Sequence, residues 1–564
     1  MDKRTLLALV LMAIVLVGTP MLFPSARRPV KPAIDTAATT TTATLPAAPS
    51  PGPATQPALQ PSVAPPASAP VVSSARLRVR LADSTVVVTT PRARYLIQNP
   101  GASPRAVEIP SYRDLRPGRR DTMVVAQSSG PLLHYRLALG ADTIALDSIP
   151  FSVQQSGSAA TFTATAPRRI SITYEAATGY RIAVRGVVAN APAGSALIVD
   201  MPRELQSAEA DTLDDQRHLA YGYRQPLRDV QSIPFAKLDS TRIRSDTGSM
   251  QWVSIRDKYW LIALMQPFGE KAAGVFNGMT MRGGTRVGRV TKSAIATTIQ
   301  PLSNGQFAFD LYVGPQSWSE LHALGNGIEE VNPYAGFLHA VVQPFATIVL
   351  RVLLWMKATL GVSYGWVLVL FGVVIRLMLW PLNQRAMRTS IQMQALQPEL
   401  TEVQKRYKSD PDKQREALMK LYQAHGMSPL SPMLGCLPML LPMPILYALY
   451  FVFQNTIEFR GVPFLWLSDL SLRDPYYIIP VLMGASMFLL SWIGMRAMPP
   501  NPQTKMMSYM MPVMFTVMFL NFASGLNLYY AVQNIAALPQ QWILTRERAK
   551  AAARTSTAAA KRTG

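Results

Sequence analysis

Arg376 stands inside an apolar run, residues 367–382. A guanidinium there costs about 2.5–3.5 kcal/mol to insert and needs water, a partner or the headgroups around it. It lies six residues before Leu382, about 9 Å at 1.5 Å per residue, so snorkelling to the nearer surface competes with a hydrated site inside the bilayer. Further along, Asn527, Tyr530, Asn534 and Gln541 fall within about 60° of one another at 100° per residue and make a polar stripe on one helix face. Such a stripe either bonds neighbouring helices together or lines a wet cavity. None of the apolar runs in this half carries an Asp or Glu to neutralise Arg376, so a positive, hydrated site is the consistent expectation.

Conventional catalytic patterns are missing. The sequence holds no G-x-x-x-x-G-K-[ST] loop, no G-x-S-x-G elbow and no H-E-x-x-H pair. His134, His218, His322, His339 and His425 are scattered, and Cys436 is the single cysteine. A disulfide scaffold and a cysteine-based zinc site are excluded, and neither an enzyme nor a cofactor is expected. Methionine is plentiful instead. Met433, Met439 and Met443 share a run with Pro438, Pro442 and Pro444, and Met506, Met507, Met510, Met511, Met514 and Met518 share another. Flexible thioethers suit an adaptable apolar surface as well as ordinary core filling.

The elements that must position these residues emerge from composition. Of 564 residues, 49% are hydrophobic and only 16% charged, with Lys plus Arg at 55 against Asp plus Glu at 33. A basic chain with apolar residues in blocks points to an anionic membrane surface. Residues 5–23 are uncharged after Lys3 and Arg4. Their continuity favours an uncleaved anchor at 1–23 over a cleaved signal. Residues 24–74, rich in Pro, Ala, Thr and Ser, read as a tether. From 75 to 335 short alternating runs such as Leu77, Val79, Leu81 and Tyr180, Ile182, Val184 predict an all-β domain, a large sandwich of two antiparallel sheets.

Residues 336–358 carry Arg351 and Lys357 in an apolar context and suit an interfacial amphipathic helix. Five apolar runs follow, at 359–382, 433–453, 476–495, 506–522 and 524–545. Each is long enough to cross a hydrocarbon core of roughly 30 Å. With the anchor they make an α-helical membrane protein of six spans, whose five-helix core occupies 359–545. Basic residues cluster beside Lys3, in 385–420, at Arg496 and Lys505, and in the 546–564 tail. The positive-inside rule then places both termini in the cytoplasm and the β domain outside it. Within 384–430, Leu396, Leu400, Val403 and Tyr407 precede Asp410 and Pro411, the pattern of a helical hairpin with Asp410 as N-cap. The basic tail suits acidic lipid headgroups or ribosomal RNA.

In their order, these features resemble the YidC family of membrane protein insertases, in the long form typical of Gram-negative bacteria. The stretches that carry the resemblance are YVGP at 312–315, VVIRLMLWPLNQ at 373–384, LQP at 396–398 and GCLP at 435–438. PMPILYALY at 442–450, DPYYIIPVLMG at 474–484 and FASGLNLYYAVQN at 522–534 continue it. The resemblance implies that the five C-terminal spans form a groove open to cytoplasm and lipid, with Arg376 its arginine and Tyr530 its tyrosine. By the polar stripe and the methionine runs, Asn527, Asn534 and Gln541 are expected to join them, with Met439, Met443, Met510 and Met514 as an apolar slide. It implies a periplasmic β-supersandwich, and a hairpin through Leu396, Pro398 and Tyr407 that meets ribosome, signal recognition components or the Sec translocon. Two departures stand near the groove: Gly372 where a hydroxyl residue is common, and Pro442 for a frequent Gln.

The expected role is a membrane insertase and chaperone for nascent proteins in the inner membrane, without nucleotide hydrolysis, touching anionic lipids. A transporter or channel would use the same buried charge, but the arginine-bearing run has no second copy. A ligand-binding β domain on an anchor is the third reading, although Trp252 and Trp260 fit a core better than a cleft.

Overall fold

Strand Arg181–Val188 shows why the 75–335 region folds as sheet: Ile182 and Val184 are buried while Arg185 and Val187 face out, the two-residue period of a pleated strand. The computed structural model describes residues 84–563 apart from 270–273, 288–289, 333–338, 408–409, 425–441 and 497–501. The anchor at 1–23, the tether at 24–74, the alternation at 77–81, Met439 and Cys436 therefore lie outside the described residues.

Among the described residues, nineteen strands, from Ser84–Thr89 to Gln306–Pro315, make three antiparallel sheets of nine, six and four strands. The nine- and six-stranded sheets meet face to face, with Tyr135 and Phe276 of the smaller one against Phe309 of the larger at 6.5 and 6.2 Å between ring centroids. The two-sheet expectation is thus one sheet short. The first four strands form a meander of their own that packs on the large sheet through Tyr95, whose hydroxyl accepts from the Val313 N–H at 3.0 Å. Alternation reports that a strand has a buried face, not which sheet it joins. Trp252 and Trp260 are fully buried, as core residues.

The helices are α1 (Thr212–Arg217), α2 (Trp318–Leu324), α3 (His339–Leu360), α4 (Tyr364–Ala395), α5 (Gln397–Arg406), α6 (Pro411–Ala424), α7 (Pro442–Asn455), α8 (Ile478–Met495), α9 (Pro502–Phe519) and α10 (Ser524–Thr563). Among the described residues, two segments are long and apolar enough to cross a membrane, Tyr364–Pro381 and Ile478–Met495, and Ser508–Phe519 is a shorter apolar helix. The helix around Arg376 does not stop at Leu382: α4 continues for 32 residues, through Pro381, into the region read as hairpin. The α5–α6 turn follows the sequence, with Asp410 Oδ1 accepting from the Lys413 N–H at 3.2 Å and Pro411 opening α6. Helix α3 buries Ala346, Leu350 and Leu353 but leaves Phe345, Ile348 and Trp355 exposed. An apolar face without a protein partner is what lipid contact accommodates.

The loop from α7 to α8 ties the helices to the β domain. Ile457 is part of the β domain's core. Arg460, also buried, lays its Nε 2.8 and 2.9 Å from the two carboxylate oxygens of Glu209 and donates to the Arg113 carbonyl at 3.0 Å.

Close helix packing depends on small residues. At Gly484 of α8 an added Cβ would lie 1.8 Å from Thr516 Oγ1 of α9, and β-branched threonine has little freedom to move away. Gly484→Leu is therefore expected to cost about 1–3 kcal/mol of overpacking and to lower the detergent-solubilised melting temperature by several degrees. Unchanged melting would mean that α8 and α9 do not meet there.

Candidate functional site

Helix α4 presents Gly372, Arg376 and Trp380, one turn apart, to α10. Gly372 permits the approach, since a Cβ there would lie 3.1 Å from Val532 Cγ1. Polar groups of α10 answer each level in turn. The Gln533 Nε2–H donates to the Gly372 carbonyl at 3.3 Å and to the Tyr529 hydroxyl at 2.8 Å. The Arg376 Nη2–H donates to Gln540 Oε1 at 2.9 Å, and Gln540 in turn donates to the Trp380 carbonyl at 3.1 Å. Gln540 is buried. Arg376 is half-buried, and its Nε is shielded without a hydrogen-bond partner among the described residues. The site therefore carries a fixed positive charge, oriented by one amide and not neutralised by any carboxylate on the apolar runs.

The four polar residues predicted for the last span do not share this seam. Asn527 donates to the Phe519 carbonyl at 3.0 Å and Tyr530 packs edge-on against Phe519 at 5.6 Å. Asn534 donates to Ser486 Oγ at 3.2 Å, and Gln541 lies against Gly494. All of them face α8 or α9. At 100° per residue their edge is turned by about 110° from that of Tyr529, Gln533 and Gln540. Helix α10 thus has two polar edges, one bracing the bundle and one holding Arg376. Tyr529, rather than Tyr530, lies on the arginine's side, and Gln533 and Gln540 were missed. Their signal was present, because 529, 533 and 540 fall within about 40° of one another by the same arithmetic.

Gly372 has no side chain to offer, and its backbone carbonyl itself takes the Gln533 amide. Met510 and Met514 are half exposed on the outer face of α9, beside Met506, Val513 and Val517. Met443 belongs to α7 and Pro398 to α5. Leu396, between α4 and α5, is buried, and Tyr407 caps the end of α5. None of these reaches Arg376 in a described contact. At one end of the bundle Arg496 sits 3.7 Å over the Trp492 ring and Arg546 3.4 Å over Trp542, the pairing of aromatic and basic residues found where helices leave a bilayer.

Two family models match the chain: the one described as 60Kd inner membrane protein over residues 355–551 and the YidC periplasmic domain over residues 85–348. The chain is 36% identical over 307 residues to the membrane protein insertase YidC of Magnetococcus marinus, a match covering 54% of this chain and 52% of the relative. It is 37% identical over 251 residues to that of Azotobacter vinelandii, covering 44% and 43%. The chain thus spans about half the length of the curated relatives it matches. A solved structure described as an active YidC insertase with the first transmembrane domain resolved is 20% identical, covers 82% of this chain and 93% of its own, and has a TM-score of 0.33. With one model matching the β-rich half and the other the helical half, the chain belongs to the YidC family.

Proposed function

We propose that the protein is an inner-membrane insertase and chaperone that receives nascent membrane proteins in a hydrated groove beside Arg376, as the names of its relatives suggest. The observation that carries this reading is the half-buried guanidinium of α4, held by Gln540 and unmatched by any carboxylate on the apolar runs. Water or an incoming acidic group supplies what the protein leaves out. The exposed Met and Val face of α9 is the apolar path by which the inserted segment reaches lipid.

The arrangement uses six spans, both termini cytoplasmic and the β domain periplasmic. No covalent step and no nucleotide are involved. Each central Leu, Ile, Phe or Val of the client contributes about 0.3–0.6 kcal/mol, and each translocated charge gains or loses about 2.3 kcal/mol per 100 mV. The protein lowers the barrier for the polar flank. Asn527, Tyr530, Asn534 and Gln541 act by fixing α10 against α8 and α9, which sets where Gln540 points. The α5–α6 hairpin and basic tail face the ribosome, signal recognition components, the Sec translocon and anionic headgroups.

A photoreactive residue at position 376 is expected to crosslink to a ribosome-stalled nascent membrane segment. Crosslinks to lipid alone, with the stalled client present, would rule the groove out.

A further inference from the structure

The loop between α7 and α8 folds back on itself at Phe464–Leu467. The Phe464 and Leu467 N–H groups each donate to the other's carbonyl, at 3.0 and 2.9 Å, which leaves Leu465 and Trp466 as a two-residue tip. Its base is held firmly. Phe464 is buried over Gly365 in the first turn of α4, where a Cβ would lie 2.0 Å from the Phe464 ring. The Trp466 indole N–H donates to Asp474 Oδ1 at 3.3 Å. The same carboxylate takes the Tyr476 and Ile479 N–H groups at 3.0 and 2.8 Å and so fixes the start of α8.

What this frame holds outward is apolar. Leu465 is 70% exposed and Tyr476 68%, and Trp466, Tyr477 and Ile478 are exposed as well. Leu465 and Tyr477 have φ of +54° and +57°, a left-handed backbone that bulky side chains rarely adopt. Strain of this kind persists only where surrounding contacts enforce it, and it clusters where function needs a side chain presented. Negative charge is turned the other way. Of the three charged residues in 461–478, Asp469 and Asp474 are buried, Asp469 taking the Ser471 N–H and hydroxyl at 2.8 and 2.7 Å, whereas Arg473 is exposed. The outward side of the loop thus joins large apolar groups to one cation and no anion, the complement of an anionic lipid surface. It is also continuous with membrane-spanning helix surface. Val481 and Leu482 are exposed on α8, which is long and apolar enough to cross a bilayer, and the exposed Trp366 near the start of α4 lies 5.6 Å from the Phe464 ring.

We propose that the outward side of this loop, with Leu465 and Trp466 at its tip and Tyr476 and Tyr477 beside α8, is a lipid anchor that seats in the headgroup–acyl boundary of the leaflet on the β-domain side. Tryptophan and tyrosine suit that depth because each has an apolar body and a polar tip. Leu465 and Trp466 belong to no spanning helix, so the anchor is more than the end of α8. The same loop grips the β domain through Arg460 and Glu209, and lipid at one end with protein at the other holds that domain against the bilayer. The placement rests on α8 crossing the membrane, which a label at Phe488 reads separately.

The test is depth, measured on the full chain in nanodiscs of phosphatidylethanolamine and phosphatidylglycerol. In a Cys436→Ala background a nitroxide is attached in turn at Leu465→Cys, Tyr476→Cys, Phe488→Cys in α8, and Leu227→Cys, a fully exposed position of the β domain. Collision with oxygen, which concentrates in lipid, is compared with collision with a nickel chelate, which stays in water. The oxygen-to-nickel ratio at 465 and 476 is expected to exceed that at 227 by about fivefold or more, as for a group roughly 5–10 Å into the interface, and the ratio at 488 to be higher still. Leu465→Asp should lower the ratio at 476 by about twofold or more, since a carboxylate disfavours that depth, and leave 488 unchanged. A ratio at 465 equal to that at 227, with 488 in lipid, would overturn the anchor and leave the spanning helices standing. Water at 488 would overturn both. Exclusion of both reagents from 465 would mean that a second copy covers the tip, and a ratio at 476 indifferent to Leu465→Asp would mean that α8 alone sets its depth; either result overturns the anchor.

Discussion

Arg376→Ala is expected to slow insertion of a client with an acidic extracytoplasmic flank by roughly ten- to hundredfold in proteoliposomes. A hydrogen bond to a charged group contributes about 1.5–3 kcal/mol, and each 1.36 kcal/mol of barrier is a factor of ten in rate. The structure narrows what the variant removes. Arg376 bonds Gln540 by one nitrogen, at 2.9 Å, so the alanine also frees the Gln540 oxygen, but Gln540 keeps its bond to the Trp380 carbonyl and α10 stays in place. Arg376→Lys retains the charge without the planar fork and should fall between wild type and alanine. A client with a neutral flank should be affected least. Equal insertion of the acidic-flank client by Arg376→Ala would remove the arginine from the mechanism. A second variant, Gln540→Leu, keeps the charge but leaves the guanidinium without its orienting amide, and it should reproduce part of the loss.

The legible part of this site was the part with a price in free energy. A guanidinium in an apolar run is visible from the sequence because every environment for it but water, a partner or headgroups is unfavourable. Neutral amides carry no such mark. Gln533 and Gln540 sit on a helix that also offers Asn527, Asn534 and Gln541, and which of two polar edges faces α4 depends on helix rotation, a property of packing. Gly372 could have fixed that rotation, since a glycine one turn before the arginine signals close approach of another backbone, but not which helix approaches. In the β domain, alternation identified buried faces such as Ile182 and Val184 and missed the separate four-stranded sheet. The junction was beyond reach for a different reason. Glu209 and Arg460 lie 251 positions apart, and neither has a local pattern that anticipates the other.

That pair yields the largest expected effect on stability. Removing one member of a buried ion pair costs about 3–5 kcal/mol, because the other is left as an uncompensated charge. In Arg460→Ala the stranded group is Glu209, which is buried and, among the described residues, otherwise accepts from the Trp260 indole N–H at 3.3 Å, while the Arg113 and Ala208 carbonyls lose the donor that Arg460 supplied. The cost must depend on pH. Burial pushes the Glu209 carboxyl up to about 7 even with Arg460 opposing it. A carboxyl whose folded value lies above its unfolded value contributes stability that is present below the unfolded value, near 4.3, and is lost as pH rises through the folded one. Without the guanidinium that folded value rises further, so the loss extends to higher pH in the variant than in the wild type. The penalty of Arg460→Ala should therefore grow with pH and be much larger at pH 8 than at pH 5. At pH 5 Glu209 is mostly protonated in both proteins, and only the lost carbonyl bonds remain, about 1–2 kcal/mol. Hydrogen exchange of the strand Trp260–Met265 and the 457–475 loop reads the opening free energy directly; protection should drop by roughly 10²–10³-fold at pH 8 and by far less at pH 5. Replacing both partners, Glu209→Leu with Arg460→Met, removes the charges together and should recover most of the loss at pH 8, since apolar replacement of a buried pair is often neutral. A penalty the same at both pH values, or a double variant no better than the single one, would mean that packing rather than charge holds the loop to the β domain.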